Sequence, residues 1–173
     1  MSSENQKESS EEDKKKEAIT SIESIDAGPE QKAQLILVLL GLKPAAELAL
    51  YPWNSSPENV EAFLDRSGLQ YARRKSNKQG KTVAEYAVSK DERLVDRLLN
   101  CDSSAEYGAL MGYPESAVQA FEAKEVYEGP LPEDIENSIF KMKFSKDLFE
   151  KEFETVRRWN KALSEYAPNL SPR

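Results

Sequence analysis

Residues 69–89, LQYARRKSNKQGKTVAEYAVS, decide the fold class of this chain. Residues 69–73 and 82–89 are rich in tyrosine, valine and threonine and alternate in polarity, which is typical of β-strands. Between them lies KSNKQGK, and the glycine near its end suits a turn. The stretch therefore predicts two antiparallel strands joined by a loop.

The sequence on both sides of this hairpin has the spacing of helices. Pro29 suits the first turn of a helix, and the apolar run that follows predicts a central, buried helix that ends at Gly41. PAAELAL, which begins at Pro44, predicts a short helix, and Ser56 is a suitable cap for the next one. Ser89, three residues before Glu92, predicts a capping box at the start of a helix up to residue 99.

Two short helices and one long helix are predicted after the hairpin. Residues 103–123 predict two short helices that meet at Gly112, Tyr113 and Pro114, because glycine suits a left-handed stop and proline a helix start. Apolar residues recur every three or four positions over about residues 145–166, with Ser145 as the cap, and this spacing predicts a long final helix. The predicted fold class is α+β: a mainly helical single domain with a small antiparallel β-hairpin or sheet.

Composition divides the chain into a tail and one domain. Residues 1–16 are mostly serine, glutamate and lysine with no apolar residue after Met1, which predicts a disordered charged tail. Ile19, Ile22 and Ile25 then predict a short amphipathic helix. We expect a single globular domain over residues 17–168 and a short tail at 169–173.

The absence of histidine from all 173 residues excludes several kinds of site. Catalytic triads with histidine, cysteine–histidine pairs and histidine-ligated zinc cannot form within one chain. The single Cys101 cannot make an intrachain disulfide, and we interpret it as a small buried residue, with a reactive thiol as the alternative. The sequence predicts no catalytic residue, no metal site and no cofactor, since the glycine-rich phosphate-binding motifs are also missing.

The N-terminal segment lacks the apolar core of a signal peptide, and the longest apolar run, residues 35–40, is much shorter than a membrane span. We therefore expect a cytoplasmic protein with no membrane partner. The net charge of -7 repels nucleic acid and anionic lipid overall, so binding to either would need a local basic patch.

The hairpin carries the clearest patch of this kind. Basic residues cluster on the end of the first strand and in the loop, and two tyrosines could lie on the same strands: Arg73, Arg74, Lys75, Lys78 and Lys81, with Tyr71 and Tyr86. Basic side chains beside aromatic ones can hold a phosphate backbone or stack a base. The first hypothesis is therefore a binding module that recognises a phosphate-bearing ligand, RNA or a nucleotide, through this hairpin; a solvated loop is the simpler interpretation.

Two further hypotheses use other residues. Trp159 and Tyr166 on the last helix, with Trp53 in the loop YPWNSSP, would form a surface for a protein partner or a homodimer if they are exposed. Glu47 and Glu85 could serve a carboxylate-based enzyme if two acids converge in a pocket. Core packing and structural ion pairs are the alternatives for these residues.

The stretch YGALMGYPESAVQAF, with TVAEYAVSKDERLVDRLLN and LGLKPAAEL before it, resembles the prokaryotic family catalogued as domain of unknown function 483. Gly112, Tyr113, Pro114 and the aromatic Phe121 match the family's pattern. Ser116 and Ala117 stand where the family has two cysteines, so a thiol-based role does not carry over to this chain. The resemblance spans roughly residues 30–125 and implies a shared fold and a prokaryotic cytoplasm, without a catalytic residue.

Overall fold

The computed structural model describes the backbone of residues 2–51, 56–78 and 80–170 and, within these ranges, the side chains from residue 12 onward. This part of the chain forms eight α-helices and one short 3₁₀ helix, Pro168–Leu170. The α-helices are α1 (Ser2–Ile22), α2 (Pro29–Leu39), α3 (Pro57–Arg66), α4 (Glu92–Leu99), α5 (Ser104–Leu110), α6 (Glu115–Ala123), α7 (Glu133–Glu136) and α8 (Phe149–Tyr166).

Three strands form one antiparallel sheet, which confirms the predicted α+β class. They are β1 (Ala45–Leu50), β2 (Gln70–Lys78) and β3 (Lys81–Ser89), and β3 lies between the other two. The predicted hairpin is present as β2 and β3, but the strands extend through most of the predicted loop and approach each other until Lys78 pairs with Lys81. Gly80 has a φ of 75°, which supplies the turn conformation.

The prediction of a helix at PAAELAL was wrong, because this segment is strand β1. Alanine, leucine and glutamate favour helices, but residues 45–50 pair along their whole length with β3. The pairing buries Ala46, Leu48 and Leu50 on one face of the sheet. Tertiary pairing has therefore overridden the local propensity.

Two predicted helix caps were also wrong. Asp91 caps α4, since its side chain accepts a hydrogen bond from the Arg93 N–H, whereas Ser89 is the last residue of β3 and its hydroxyl donates to the Pro44 carbonyl. Helix α8 begins at Phe149 rather than at Ser145. The Ser145 hydroxyl accepts from the Leu148 N–H just before the helix, which organises a turn ahead of α8.

At the N-terminus, α1 spans the segment for which the sequence predicts a disordered tail. An ion pair of 3.2 Å between Lys16 Nζ and Glu12 Oε1, one helical turn apart, fits this geometry but stabilises little because both side chains are exposed. Ile19 and Ile22 are buried at the other end of the helix. The disorder of residues 1–16 in solution, and with it the division into tail and domain, stays a prediction.

The sheet separates two cores. One face packs on α2, α3 and α8, with Leu48, Tyr86 and Trp159 among its fully buried side chains. The other face packs on α4 and α5 through Ala87, Val95 and other residues. A third, smaller cluster surrounds Phe153 on α8. No helix in the described part of the chain has the length and apolar character needed to cross a bilayer.

Candidate ligand-binding sites

The five basic residues of the hairpin, Arg73, Arg74, Lys75, Lys78 and Lys81, form what we call the basic tip. Strand alternation divides them between the two faces of the sheet, because successive side chains of a strand point to opposite sides. Arg73 and Lys75 share one face of β2, and Arg74 and Lys78 share the other. The cluster in the sequence is therefore not one cluster in space.

On the first face, Arg73 lies in a polar contact with an acid of α3. Its Nη1 donates to Glu61 Oε1 at 3.0 Å, and the same oxygen accepts from the Tyr86 hydroxyl at 2.5 Å. Tyr86 is fully buried, and burial together with the bond to Glu61 raises the pKa of its hydroxyl. Tyr71 packs on the Tyr86 ring at 6.1 Å between centroids. Tyr86 thus belongs to the core and offers no face on which a base could stack.

On the opposite face, Glu85 holds two cations of the basic tip. Arg74 Nε lies 2.7 Å from Glu85 Oε2 and Lys78 Nζ lies 2.6 Å from Oε1, while the carboxylate itself is 3% exposed. Burial alone would raise the pKa of Glu85, but the hydrogen bonds from Lys78 and Arg74 outweigh it and hold the pKa below its ordinary value. Arg74 also donates to the Leu99 carbonyl at 2.7 Å.

Three of the five cations in the basic tip are consequently neutralised by the protein's own carboxylates. Lys81 also has an interaction partner, and Lys75 is exposed. An arriving phosphate would have to displace Glu61 or Glu85 to contact the arginines. The contacts of the basic tip are therefore typical of a structural ion-pair network and not of an open anion-binding site.

The two acids of the enzyme hypothesis do lie close together. Glu47 of β1 pairs with Ala87, and Glu85 pairs with Ala49, so the two carboxylates are diagonal neighbours on one face. They line a cavity of about 10 Å³ with Arg74, which holds no more than a water molecule. A cavity of this size has no room for a substrate, and the Glu85 carboxylate is already engaged by Arg74 and Lys78.

The described aromatic residues of the protein-partner hypothesis differ in their exposure to solvent and do not form one surface. Trp159 is 0% exposed and packs between Tyr113 and Phe140, so it cannot contact a partner. The apolar stripe of α8 is core, which corrects the surface prediction for this residue. Tyr166 is 37% exposed. Trp53 lies outside the described residues.

A second group of cations lies at the other end of the hairpin, around a depression of about 910 Å³ that we call the basic cleft. Lys14 and Lys15 of α1, Arg66 at the end of α3 and Lys90 after β3 line it. Glu17 is the one carboxylate among the lining residues whose side chains the structure describes. Lys90 Nζ donates to the Leu39 carbonyl at 2.6 Å, which fixes its side chain at the cleft.

Sequence reasoning did not find the basic cleft, because its cations are dispersed between residues 14 and 90. Lys14, Lys15 and Arg66 have no ion pair with another described side chain. The available signals were the Lys-rich run at 14–16 and the arginine that ends α3. Neither signal indicates that α1 passes beside the turn between α3 and β2.

A third depression, the apolar groove, lies between α5, α6 and residues 141–143 and holds about 500 Å³. Tyr107, Tyr113, Phe121 and Met142 contribute its largest apolar side chains, and Cys101 lies at its border. A Cβ on Gly108 would be 2.5 Å from Val118 Cγ2, so glycine lets α5 and α6 pack closely beneath the groove.

Lys43 is a buried amine that the sequence did not single out. It is 2% exposed, its Nζ lies 5.2 Å from the Tyr113 ring centroid and 4.8 Å from that of Trp159, and it donates to Gln34 Oε1. Burial lowers the pKa of Lys43 to about 7, against a smaller opposite effect of Glu30. The Trp159 indole N–H is buried with no partner among the described residues.

The described residues contain no group of three or more cysteine, aspartate and glutamate side chains that could hold a metal ion. Comparison with protein-family models, with curated proteins and with solved structures gave no match. The resemblance to domain of unknown function 483 stays a prediction.

Proposed function

We propose that this chain is a binding module for a small phosphate-bearing ligand, and that the ligand binds in the basic cleft rather than at the basic tip. The observation that carries the proposal is the convergence of four cations on one cleft that has a single carboxylate among its described lining residues. In a protein of net charge -7, such a local excess of positive charge attracts an anion that the rest of the molecule repels.

The shape of the basic cleft supports a ligand of nucleotide size. Its volume of about 910 Å³ falls within the range of roughly 300–1,000 Å³ that is usual for small-molecule sites. Ala18, Leu39 and Leu69 supply apolar contact area. The cations come from three separate segments, so they can surround a phosphate group instead of following a linear backbone.

The lining of the cleft favours a small molecule over RNA. Proteins that hold single-stranded RNA usually stack bases on aromatic side chains, and no aromatic residue is among the described residues that line the basic cleft. At the basic tip, Tyr86 is buried against Glu61. Neither region therefore offers described aromatic side chains on which bases could stack. RNA binding is the alternative that the titration below tests.

The proposal includes a cytoplasmic location in a prokaryote. This part rests on the resemblance described above and on the single cysteine, which suits a reducing compartment.

The test is isothermal titration calorimetry with pyrophosphate, ATP, adenosine and a single-stranded ten-nucleotide RNA. We expect binding of pyrophosphate and ATP but not of adenosine. The double variant Lys15→Glu/Arg66→Glu should lose at least tenfold in affinity for ATP, since both reversals place negative charge in the basic cleft. The matched control, Lys75→Glu/Lys81→Glu, makes the same charge change at the basic tip and should bind within twofold of the wild type.

Two results would contradict the proposal. One is the absence of heat with pyrophosphate and ATP at millimolar concentration. The other is a larger loss in the tip variant than in the cleft variant, which would return the site to the hairpin. Tight binding of the RNA alone would instead indicate a nucleic-acid module.

A further inference from the structure

The apolar groove is independent of the basic cleft, since the two share no lining residue. It combines an apolar depression that is partly open to solvent with exposed aromatic rings among its lining residues. Phe121 is 54% exposed and Tyr107 is 36% exposed, although both are large apolar side chains. Contiguous exposed apolar area of this kind marks interaction sites.

The groove has the size and lining of a small-molecule site. Its volume of about 500 Å³ is in the usual range for such sites. Rings and a thioether line it together with small side chains, among them Gly108, Ala117 and Val118. Helices α5 and α6 pack in direct contact at Gly108, where any larger residue would collide with Val118, and this contact forms the floor of the groove. A preformed apolar floor favours binding of an apolar chain or ring system.

The charges around the groove indicate the chemistry of the rest of the ligand. Lys141 and Lys143 flank Met142 on the segment that forms one wall, and Asp102 is the one acid among the described residues that line the groove. Lys143 is exposed and makes no ion pair with the described residues, and Lys141 Nζ donates to the Glu136 carbonyl at 2.6 Å. Two ammonium groups beside an apolar wall complement a single anionic group.

We propose that the apolar groove binds a small amphiphile, an apolar chain or ring system with one anionic head group such as that of a medium-chain carboxylate. The apolar part contacts Phe121, Tyr107 and Met142, and the head group lies between Lys141 and Lys143. Carboxylates and phosphate monoesters share this chemistry, and the experiment below distinguishes them.

The first measurement uses the fluorescence of 8-anilinonaphthalene-1-sulfonate with the purified full-length chain. This probe has an apolar aromatic body and one anionic group. Four competitors with the same alkyl chain are added below their micellar concentrations: dodecanoate, dodecyl phosphate, dodecanol and dodecyltrimethylammonium. We expect the probe to bind once per chain and to be displaced by dodecanoate at a concentration at least tenfold lower than by the cationic competitor. The order of dodecanoate and dodecyl phosphate identifies the preferred head group.

Two variants separate the apolar and the charged part of the site. Phe121→Ser removes an exposed ring and should weaken all four competitors at least fivefold. Lys143→Glu should weaken dodecanoate at least tenfold and leave dodecanol within twofold, because only the head group contacts the ammonium. The matched control is Lys151→Glu, the same charge change at an exposed position of α8, which should leave every competitor unchanged.

Partly unfolded proteins also bind this probe, so each variant is checked for an unchanged near-ultraviolet circular dichroism spectrum. The proposal is overturned if the folded chain does not bind the probe, or if anionic and cationic competitors act equally. It is likewise overturned if Lys143→Glu and Lys151→Glu give the same displacement curves. Arg66→Glu, in the basic cleft, should leave these curves unchanged, so a failure here is distinct from a failure of the proposed function.

Discussion

The basic tip and the basic cleft lie at opposite ends of the β2–β3 hairpin and use their cations differently. At the tip, Arg74 and Lys78 meet the buried carboxylate of Glu85 at 2.7 and 2.6 Å. At the other end, Lys15 and Arg66 face an open cleft and have no ion pair with the described residues. The dense run of basic residues is therefore the neutralised one, and the dispersed cations carry the available charge.

This difference shows that a dense run of basic residues in a sequence does not by itself identify an anion-binding site. Alternation in a strand sends neighbouring cations to opposite faces, and the paired strand on one face and a packed helix on the other can each supply a carboxylate. Helices and turns that meet in space can bring distant cations together without any local signal. A binding patch is consequently defined by the carboxylates that accompany it as much as by its cations.

The largest effect is expected at Lys43, a buried cation whose hydrogen-bond acceptor is the neutral amide of Gln34. Because folding lowers its pKa to about 7, the unfolded chain binds more protons than the folded chain above that pH, and the free energy of unfolding should rise with pH. At 1.36 kcal/mol per pKa unit we expect a gain of about 3 kcal/mol between pH 7 and pH 9.5. Urea denaturation across this range measures it.

The control for this prediction is Lys43→Met, which keeps most of the side-chain volume and removes the titrating group. Its free energy of unfolding should change much less with pH over the same interval. The upper limit of pH 9.5 stays below the ordinary tyrosine pKa of about 10, which keeps tyrosine ionisation in the unfolded chain small. An equal pH dependence in Lys43→Met and the wild type would show that Lys43 is not the titrating group.

The next effect in size concerns Glu85, the acid that neutralises the basic tip. Glu85→Gln removes the buried carboxylate that Arg74 and Lys78 both contact, and we expect the free energy of unfolding to fall by about 2 kcal/mol. This is less than for a fully buried ion pair, since both cations are about half exposed. Thermal and urea denaturation measure the loss, and ATP affinity should stay within twofold.

For comparison, Glu106→Gln removes the partner of Arg97, an exposed pair at 2.8 Å, and should cost less than 0.5 kcal/mol. If Glu85→Gln were as stable as Glu106→Gln, the tip network would not be structural. In that case its arginines would be available for a ligand, and the contrast between tip and cleft would disappear.

The parts of the fold that sequence predicted are those with a strong local pattern. Alternating tyrosine and valine residues predict β3, and Pro29 with the apolar run after it predicts α2; both are confirmed. Strand β1 was missed, because its residues favour a helix and its partner lies about 40 positions further along the chain. The start of α8 was predicted too early because serine is a common helix cap. In the structure Ser145 accepts from the Leu148 N–H and organises the turn before the helix.

The candidate sites could be predicted less well, because each depends on contacts between distant segments. The sequence showed five cations in the hairpin but not that Glu61 and Glu85 engage three of them. Lys43 follows an apolar helix and precedes Pro44, and nothing local reveals that Tyr113 and Trp159 enclose it. Burial and charge balance are tertiary properties, so a single sequence constrains them weakly.

The smallest effect is expected at Lys75, the exposed cation of the basic tip that has no ion pair with a described residue. It lies opposite Ala84, on the face of β2 that also carries Arg73. Lys75→Ala removes one solvated charge, so the free energy of unfolding should change by less than 0.5 kcal/mol and ATP affinity by less than twofold. Calorimetry and urea denaturation on the same preparation test both values. A several-fold loss of ATP affinity at unchanged stability would mean that the tip contacts the ligand through Lys75, and the site would then extend from the cleft along the hairpin.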